Sequence, residues 1–169
     1  MTLSYGTKDN GYSGLDQWNR VVDQVWQSGG IVDRYQYGYD AAGNRLYKKN
    51  AGPGASGLDE LYSYDALYRL IATQRGTLSA DKSAITGTSP VPLAQNWTLD
   101  GLGNFSQFNN NGVAQNRTTN AANQITAITG SGAASPTYDA TGNLTRDAAL
   151  NYDPETEVSS HDTQGLGLE

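Results

Sequence analysis

The sequence predicts an all-β protein: a tandem array of β-hairpins forming an open, curved or spiralling antiparallel sheet or solenoid. Three observations carry that prediction. Tyrosine occurs 11 times and glycine 20 times in 169 residues with only 37% hydrophobic content, a mixture that suits strands and tight turns better than helices. From Tyr35 to Leu46 the tyrosines Tyr35, Tyr37 and Tyr39 alternate, so an extended chain carries their rings on one face. The turn that follows them then recurs along the chain.

Its best copy is Asp40-Ala41-Ala42-Gly43. A type I turn favours Asp at its first position, where the carboxylate accepts a backbone N–H two residues on, and Gly at its last. Glycine there takes positive φ at little cost, giving the turn-plus-bulge that joins twisted antiparallel strands. The same pattern recurs at Asp16, Asp65, Asp100, Asn120, Asp139 and Asp153, with Gly103 and Gly142 in the place of Gly43. Leu15, Tyr39, Tyr64, Leu99, Thr119, Tyr138 and Tyr152 stand just before the turns, and Tyr37, Tyr62, Trp97 and Leu150 two residues earlier. Five residues after the reference come Val21, Leu70, Phe105, Ile125, Leu144 and Val158; the Asp40 copy reads as one residue longer, with Arg45 before Leu46. Such spacing with drifting identity marks a repeat array.

The residues Tyr39-Asp40 with Gly43-Asn44-Arg45, Tyr64-Asp65 with Tyr68-Arg69-Leu70, Leu99-Asp100 with Gly103-Asn104-Phe105, and Tyr138-Asp139 with Gly142-Asn143-Leu144 resemble the Rhs/YD-repeat family. The resemblance runs from about Gly14 to Val158. It implies hairpins added side by side into a long spiralling sheet, which large members close into a shell around a toxic C-terminal domain and others, such as teneurins, use as an extracellular scaffold. The core motif that follows the repeats in toxin-enclosing members is not matched, because Asp153-Pro154 lacks the next glycine.

The copies depart from the pattern in readable ways. Asn19, Tyr68, Asn123 and Thr156 replace the turn glycine. Asn tolerates left-handed φ, whereas Tyr and Thr do not, which predicts a different turn shape at Asp65 and Asp153. Pro154 suits the second position of a type I turn without a full hairpin. Glycines and Pro53 make 50–57 a mobile loop by composition, and 130–136 a second flexible link. The longest insertion, 76–95, reads as holding a helical turn near Asp81 to Ala84, which Pro90 and Pro92 would stop. Asn111-Gly112 reads as a hairpin tip. Repeats thus occupy 1–158, and 159–169 reads as a flexible tail.

Chemistry-bearing constellations are weak. His161 is the sole histidine and lacks partners at catalytic or zinc spacing. The stretch around Asp9 to Gly11 lacks the spaced ligands of a calcium hand. The net charge of −6 argues against nucleic acid, cysteine is absent, and no segment is long enough to span a membrane. No cofactor is expected. The recurrent turn carboxylates could be paired for glycoside hydrolysis, but their place at turn starts fits capping. The aromatic ladder Tyr35, Tyr37, Tyr39, Tyr62, Tyr64, Trp97, Tyr138 and Tyr152 could stack on sugar rings; the plainer reading is that the rings stack on one another across neighbouring hairpins.

The expected protein is therefore a non-catalytic structural module, a wall segment of a secreted or cell-surface Rhs-type shell. Alternatives are a filament subunit assembled head-to-tail through open sheet edges and a carbohydrate-binding surface module. Its expected partners are neighbouring repeats or other copies of itself, and its expected place is extracellular or on the cell surface. No export signal is visible in the chain.

Overall fold

A computed structural model describes residues 1–5, 14–90 and 92–147. The last copy, with Tyr152, Asp153 and Thr156, lies outside the described residues, as do the stretch around Asp9, His161 and the tail. The described chain contains strands and turns and no α-helix, in agreement with the all-β prediction. In chain order the strands are β1 (Thr2–Tyr5), β2 (Asp23–Gln27), β3 (Ile31–Tyr39), β4 (Arg45–Asn50), β5 (Asp59–Tyr64), β6 (Leu70–Leu78), β7 (Ile85–Gly87), β8 (Leu93–Leu99), β9 (Phe105–Asn110), β10 (Val113–Thr119), β11 (Ile125–Gly130), β12 (Thr137–Tyr138) and β13 (Leu144–Arg146).

Sheet order follows chain order. One 11-stranded sheet runs β1-β2-β3-β4-β5-β6-β8-β9-β10-β11, with β7 paired to β6 off this path, and β12 pairs with β13 in a separate sheet. The sheet is antiparallel and not closed into a barrel. The chain divides into two compact units, residues 1–97 with 110–112, and residues 98–109 with 113–169.

The predicted turn is present at every copy within the described residues. Gly43 N–H donates to Asp40 O at 3.2 Å and Asp40 N–H to Asn44 O at 2.9 Å, with Gly43 at φ 92°. That is a type I turn closed by a glycine bulge, and the register shifts between Gly38 and Tyr39 accordingly. Gly103 and Gly142 take φ 93° in the same place. Asn111 and Gly112 are both at positive φ, 51° and 85°, as a two-residue type I′ hairpin tip requires.

Three local expectations are corrected. Tyr68 does not change the turn: it adopts φ 61°, with Tyr68 N–H to Asp65 O and Asp65 N–H to Arg69 O both at 3.0 Å. The Asp65 carboxylate receives Leu67 N–H, Arg69 N–H and Arg69 Nε, which over-determines the turn and holds a bulky residue in a left-handed conformation. The Asp40 copy is not longer. Arg45 pairs with Tyr39 as Leu70 pairs with Tyr64, so Arg45 itself fills the return-strand position. Among the described residues the 76–95 insertion holds no helical turn. β6 continues to Leu78, turns through Ser79 to Ala84, and returns as β7. Ser79 O accepts Lys82 N–H at 3.0 Å while Ser79 Oγ accepts Ser83 N–H at 3.1 Å, so serine caps a turn in the way Asp does elsewhere.

Apolar burial is slight. Among the described residues Val22 and Val25 are the buried hydrophobic ones, and Asp23, Asp59, Glu60 and Thr73 are buried as well. Cohesion in the first unit therefore rests on ladder hydrogen bonds and paired polar groups more than on a hydrocarbon core. The tightest backbone approach is at Gly38, whose cross-strand partner is Tyr47. A Cβ at residue 38 would lie 2.1 Å from the Tyr47 ring, so the ring covers the glycine.

Gly38→Val should displace the Tyr47 ring and destabilise the fold by roughly 1–3 kcal/mol in urea unfolding. Tyr68→Gly should instead unfold within about 1 kcal/mol of the parent on the stabilising side, because relief of left-handed strain and the added freedom of the unfolded chain nearly cancel.

Candidate functional site: the turn row and the aromatic face

Each turn carboxylate is a polydentate acceptor. Asp40 Oδ1 accepts Asn44 N–H at 2.8 Å, and its Oδ2 accepts Asn44 Nδ2 at 2.7 Å. Asp100 repeats this with Asn104 and Asp139 with Asn143. At Asp16 and Asp65 the residue four positions on is Arg20 or Arg69, whose Nε donates to Oδ2 at 2.7 Å. Asn120 preserves the arrangement with reversed polarity: its Oδ1 accepts Gln124 N–H at 3.0 Å, and its Nδ2 donates to Gln124 Oε1 at 2.7 Å. The residue four beyond the Asp is thus a functional part of the unit. Asn44, Arg69, Asn104 and Asn143 stand in the repeat motifs of the sequence, and a side-chain donor recurring four residues after the turn's first residue is the signal of their role.

These bonds favour the ionised carboxylate. The Asn44 amide holds the Asp40 carboxyl below its ordinary value, and Asn104 does the same for Asp100. Asp65 is lowered chiefly by Arg69 N–H. Burial works against the shift at Asp16, but its bonds to Arg20 and Trp18 prevail and the carboxyl is lowered. Thr141 and then Asn143 bring Asp139 down to about 2.

Where a tyrosine precedes the Asp among the described residues, it links its hairpin to the one before. Tyr39 OH donates to Val21 O at 2.9 Å, Tyr64 OH to Arg45 O at 2.9 Å and Tyr138 OH to Ile125 O at 3.2 Å. Val21, Arg45 and Ile125 each stand five residues after the preceding turn's Asp or Asn, so one bond recurs in three copies. Arg20 adds a second link where it occurs, donating through Nη1 to Asp40 O at 3.0 Å.

The aromatic ladder does share one face. Tyr35 pairs with Asn50, Tyr37 with Lys48, and Lys48 in turn with Glu60, placing Tyr62 on that face two residues on. Tyr62 pairs with Thr73 and Thr73 with Gln95, which puts Trp97 there too by alternation. Tyr138 stands apart, on the two-stranded sheet. The expectation that the tyrosines stack on one another is corrected. On β3 the rings meet cations instead: Arg20 over Tyr39 at 4.6 Å, Arg45 over Tyr37 at 4.7 Å and Lys48 over Tyr35 at 5.2 Å. Arg45 and Lys48 stand on β4, the strand paired with β3, which puts their cations within reach of the ring faces.

Glu60 anchors the same face. It receives Tyr62 OH at 2.5 Å and Arg75 Nη2 at 2.7 Å, with Lys48 at 3.5 Å. Burial alone would raise its pKa, but the tyrosine and the two cations lower it. Burial, and then the bond to Glu60, raise Tyr62; the bond to Asp33, and then burial, push Tyr35 up to about 12. On the opposite face Arg34 grips the buried Asp23 bidentately, Nε at 3.0 Å and Nη2 at 2.5 Å. None of these charged anchors was singled out from sequence, because each joins residues on different strands.

No protein-family model and no curated protein matches the chain. Solved structures do resemble it in fold. A crystal structure of TcdB2-TccC3-Cdc42 superposes with a TM-score of 0.51 at 16% identity, over 81% of this chain and 9% of that one. A crystal structure of TcdB2-TccC3 without the hypervariable C-terminal region gives 0.46 at 16% identity, over 83% and 9%. The chain thus spans 9% of the length of the structures it resembles.

Carboxylates held below their ordinary value contribute stability that is full above the unfolded pKa and lost as pH falls through the folded one. Unfolding followed by circular dichroism should therefore show stability dropping from about pH 4 towards about pH 2, the value to which Asp139 is brought; flat stability across that window would refute the capping energetics. Tyr39→Phe should cost about 0.5–1.5 kcal/mol in urea unfolding through loss of the bond to Val21 O.

Proposed function

We propose that the chain is a non-catalytic structural module, a wall segment of a secreted or cell-surface shell or scaffold of the Rhs/YD-repeat kind. The observation that carries this reading is the strand order: from β1 to β11 successive hairpins add to one sheet in chain order, and Tyr39 and Tyr64 are each bonded to the backbone of the hairpin before their own. A wall needs each unit to fix the next, and the Tyr–Asp pair does both parts of that work, the carboxylate shaping the hairpin and the phenol docking it. Likeness in fold to a small stretch of a much longer chain supports the same reading. The turn carboxylates also suit capping better than catalysis. A general acid or base near neutral pH needs a raised pKa, and these are lowered.

The two alternatives are less well supported. A sugar would stack on aromatic faces, and at Tyr35, Tyr37 and Tyr39 basic side chains lie over them. A filament would use the outer edge of β11, where Ile128 and Ala134 already exchange backbone bonds of 2.8 and 3.0 Å. That return of the chain is a means of edge protection.

Light scattering over a concentration series, with negative-stain images, tests the reading. The wall-segment reading expects a constant monomer mass. Mass that climbs with concentration into regular fibres would overturn it in favour of head-to-tail assembly.

A further inference from the structure

In the second unit a cavity of about 180 Å³ is lined by Gly103, Asn104, Phe105, Arg117, Thr119, Asn123 and Ile125. Its floor and its charge come from one stacked pair. The Arg117 guanidinium lies over the Phe105 ring at 3.9 Å, and Gln115 Oε1 takes its Nε at 2.8 Å. Stacking and the glutamine together fix the plane of the guanidinium. They leave the Nη1 and Nη2 end without a hydrogen-bond partner among the described residues.

Four of the other six arginines, Arg20, Arg34, Arg69 and Arg75, each hold a carboxylate of this chain, at 2.7, 2.5, 2.7 and 2.7 Å, whereas Arg45 lies over the Tyr37 ring and neither it nor Arg146 lines this cavity. Arg117 holds none among the described residues and is only half-buried, with partial burial lowering its pKa. Two neutral donors stand at the same cavity. The Thr119 hydroxyl has no partner among the described residues, and Asn123 spends its Oδ1 on Asn104 Nδ2 at 3.1 Å, leaving its own Nδ2 to donate. Thr119 is held by its pairing with Ile125, and Asn123 by its turn at φ 59°. No carboxylate lines the cavity.

We propose that this cavity is a binding site for a single carboxylate group, received end-on by Arg117 Nη1 and Nη2, with Thr119 Oγ1 and Asn123 Nδ2 as flanking donors. A planar fork matches the two oxygens of a carboxylate. One cation with two neutral donors balances a monoanion, which favours a carboxylate over a doubly charged phosphate. The volume lies below that of a drug-sized pocket, so the site takes the acid group and little beyond it. Such a group belongs either to a small free acid or to a glutamate side chain of a peptide. The proposal is independent of the wall-segment reading.

The test is a titration of the isotope-labelled chain with N-acetylglutamate methylamide and with its neutral glutamine isostere, read by NMR at the Phe105 ring and the Asn123 side-chain amide. The acid is expected to shift both resonances and the isostere to shift neither. Arg117→Lys, which keeps the charge and loses the fork, should weaken binding about tenfold, the weight of one charge-assisted hydrogen bond. Asn123→Gly guards against a failure to fold, because glycine suits the positive φ of that residue, and it should weaken binding several-fold while leaving the turn amides in place. Glutarate and the peptide Gly-Glu-Gly distinguish the sources: tighter binding of the first assigns a free acid, and of the second a peptide side chain. Equal shifts from acid and isostere, binding unchanged in both variants, or no shift with any acid up to about 50 mM would overturn the proposal.

Discussion

The structure depends on one carboxylate arrangement: an Asp at the start of a turn that accepts the backbone N–H groups two and four residues on and a side-chain donor from the latter. The backbone bonds set the turn and the bulge. The side-chain bond fixes the carboxylate, because a charged acceptor held at both oxygens cannot rotate away. Once the turn is set, the residue before the Asp has a defined direction, and a tyrosine there reaches the backbone of the preceding hairpin. Local and inter-hairpin order therefore come from adjacent residues.

This arrangement explains how the sheet manages with so little apolar burial. Where a globular domain would set leucines, the first unit sets Asp23 against Arg34 and Glu60 against Arg75, Lys48 and Tyr62. Asp59 is used as a cap, taking Asn50 N–H at 2.9 Å and Leu78 N–H at 3.0 Å. Buried charge is tolerable only when its lone pairs are filled, and no described buried side-chain polar atom is left without a partner. Specificity follows from the same fact, since a strand out of register would strand these carboxylates beside the wrong neighbours.

What could be read from the sequence was what is decided locally. Asp40, Gly43, Gly103 and Gly142 announced their turns because their chemistry acts within four residues, and strict alternation placed Tyr35, Tyr37 and Tyr39 on one face. Tyr68 misled because a rule about single residues was outweighed by three bonds to Asp65. The 79–84 turn misled because serine there does the work of aspartate. Partners distant in sequence were illegible. The target of the Tyr39 hydroxyl lies 18 residues back, and the cation over Tyr37 comes from the returning strand. Nothing in composition or spacing says which carbonyl or which cation will be opposite.

Strand order that follows chain order also bears on how the protein comes to be folded. Within the 11-stranded sheet most new strands find a partner in the strand made just before them, so the loop to be closed is usually a short turn and its entropic cost stays small. Two steps are longer: β1 to β2, with the Asp16 turn between them, and β6 to β8, where a whole hairpin must be set aside before the sheet resumes. Growth from one end, strand upon strand as the polypeptide leaves the ribosome, suits such a chain, and these two longer closures are where that growth would pause.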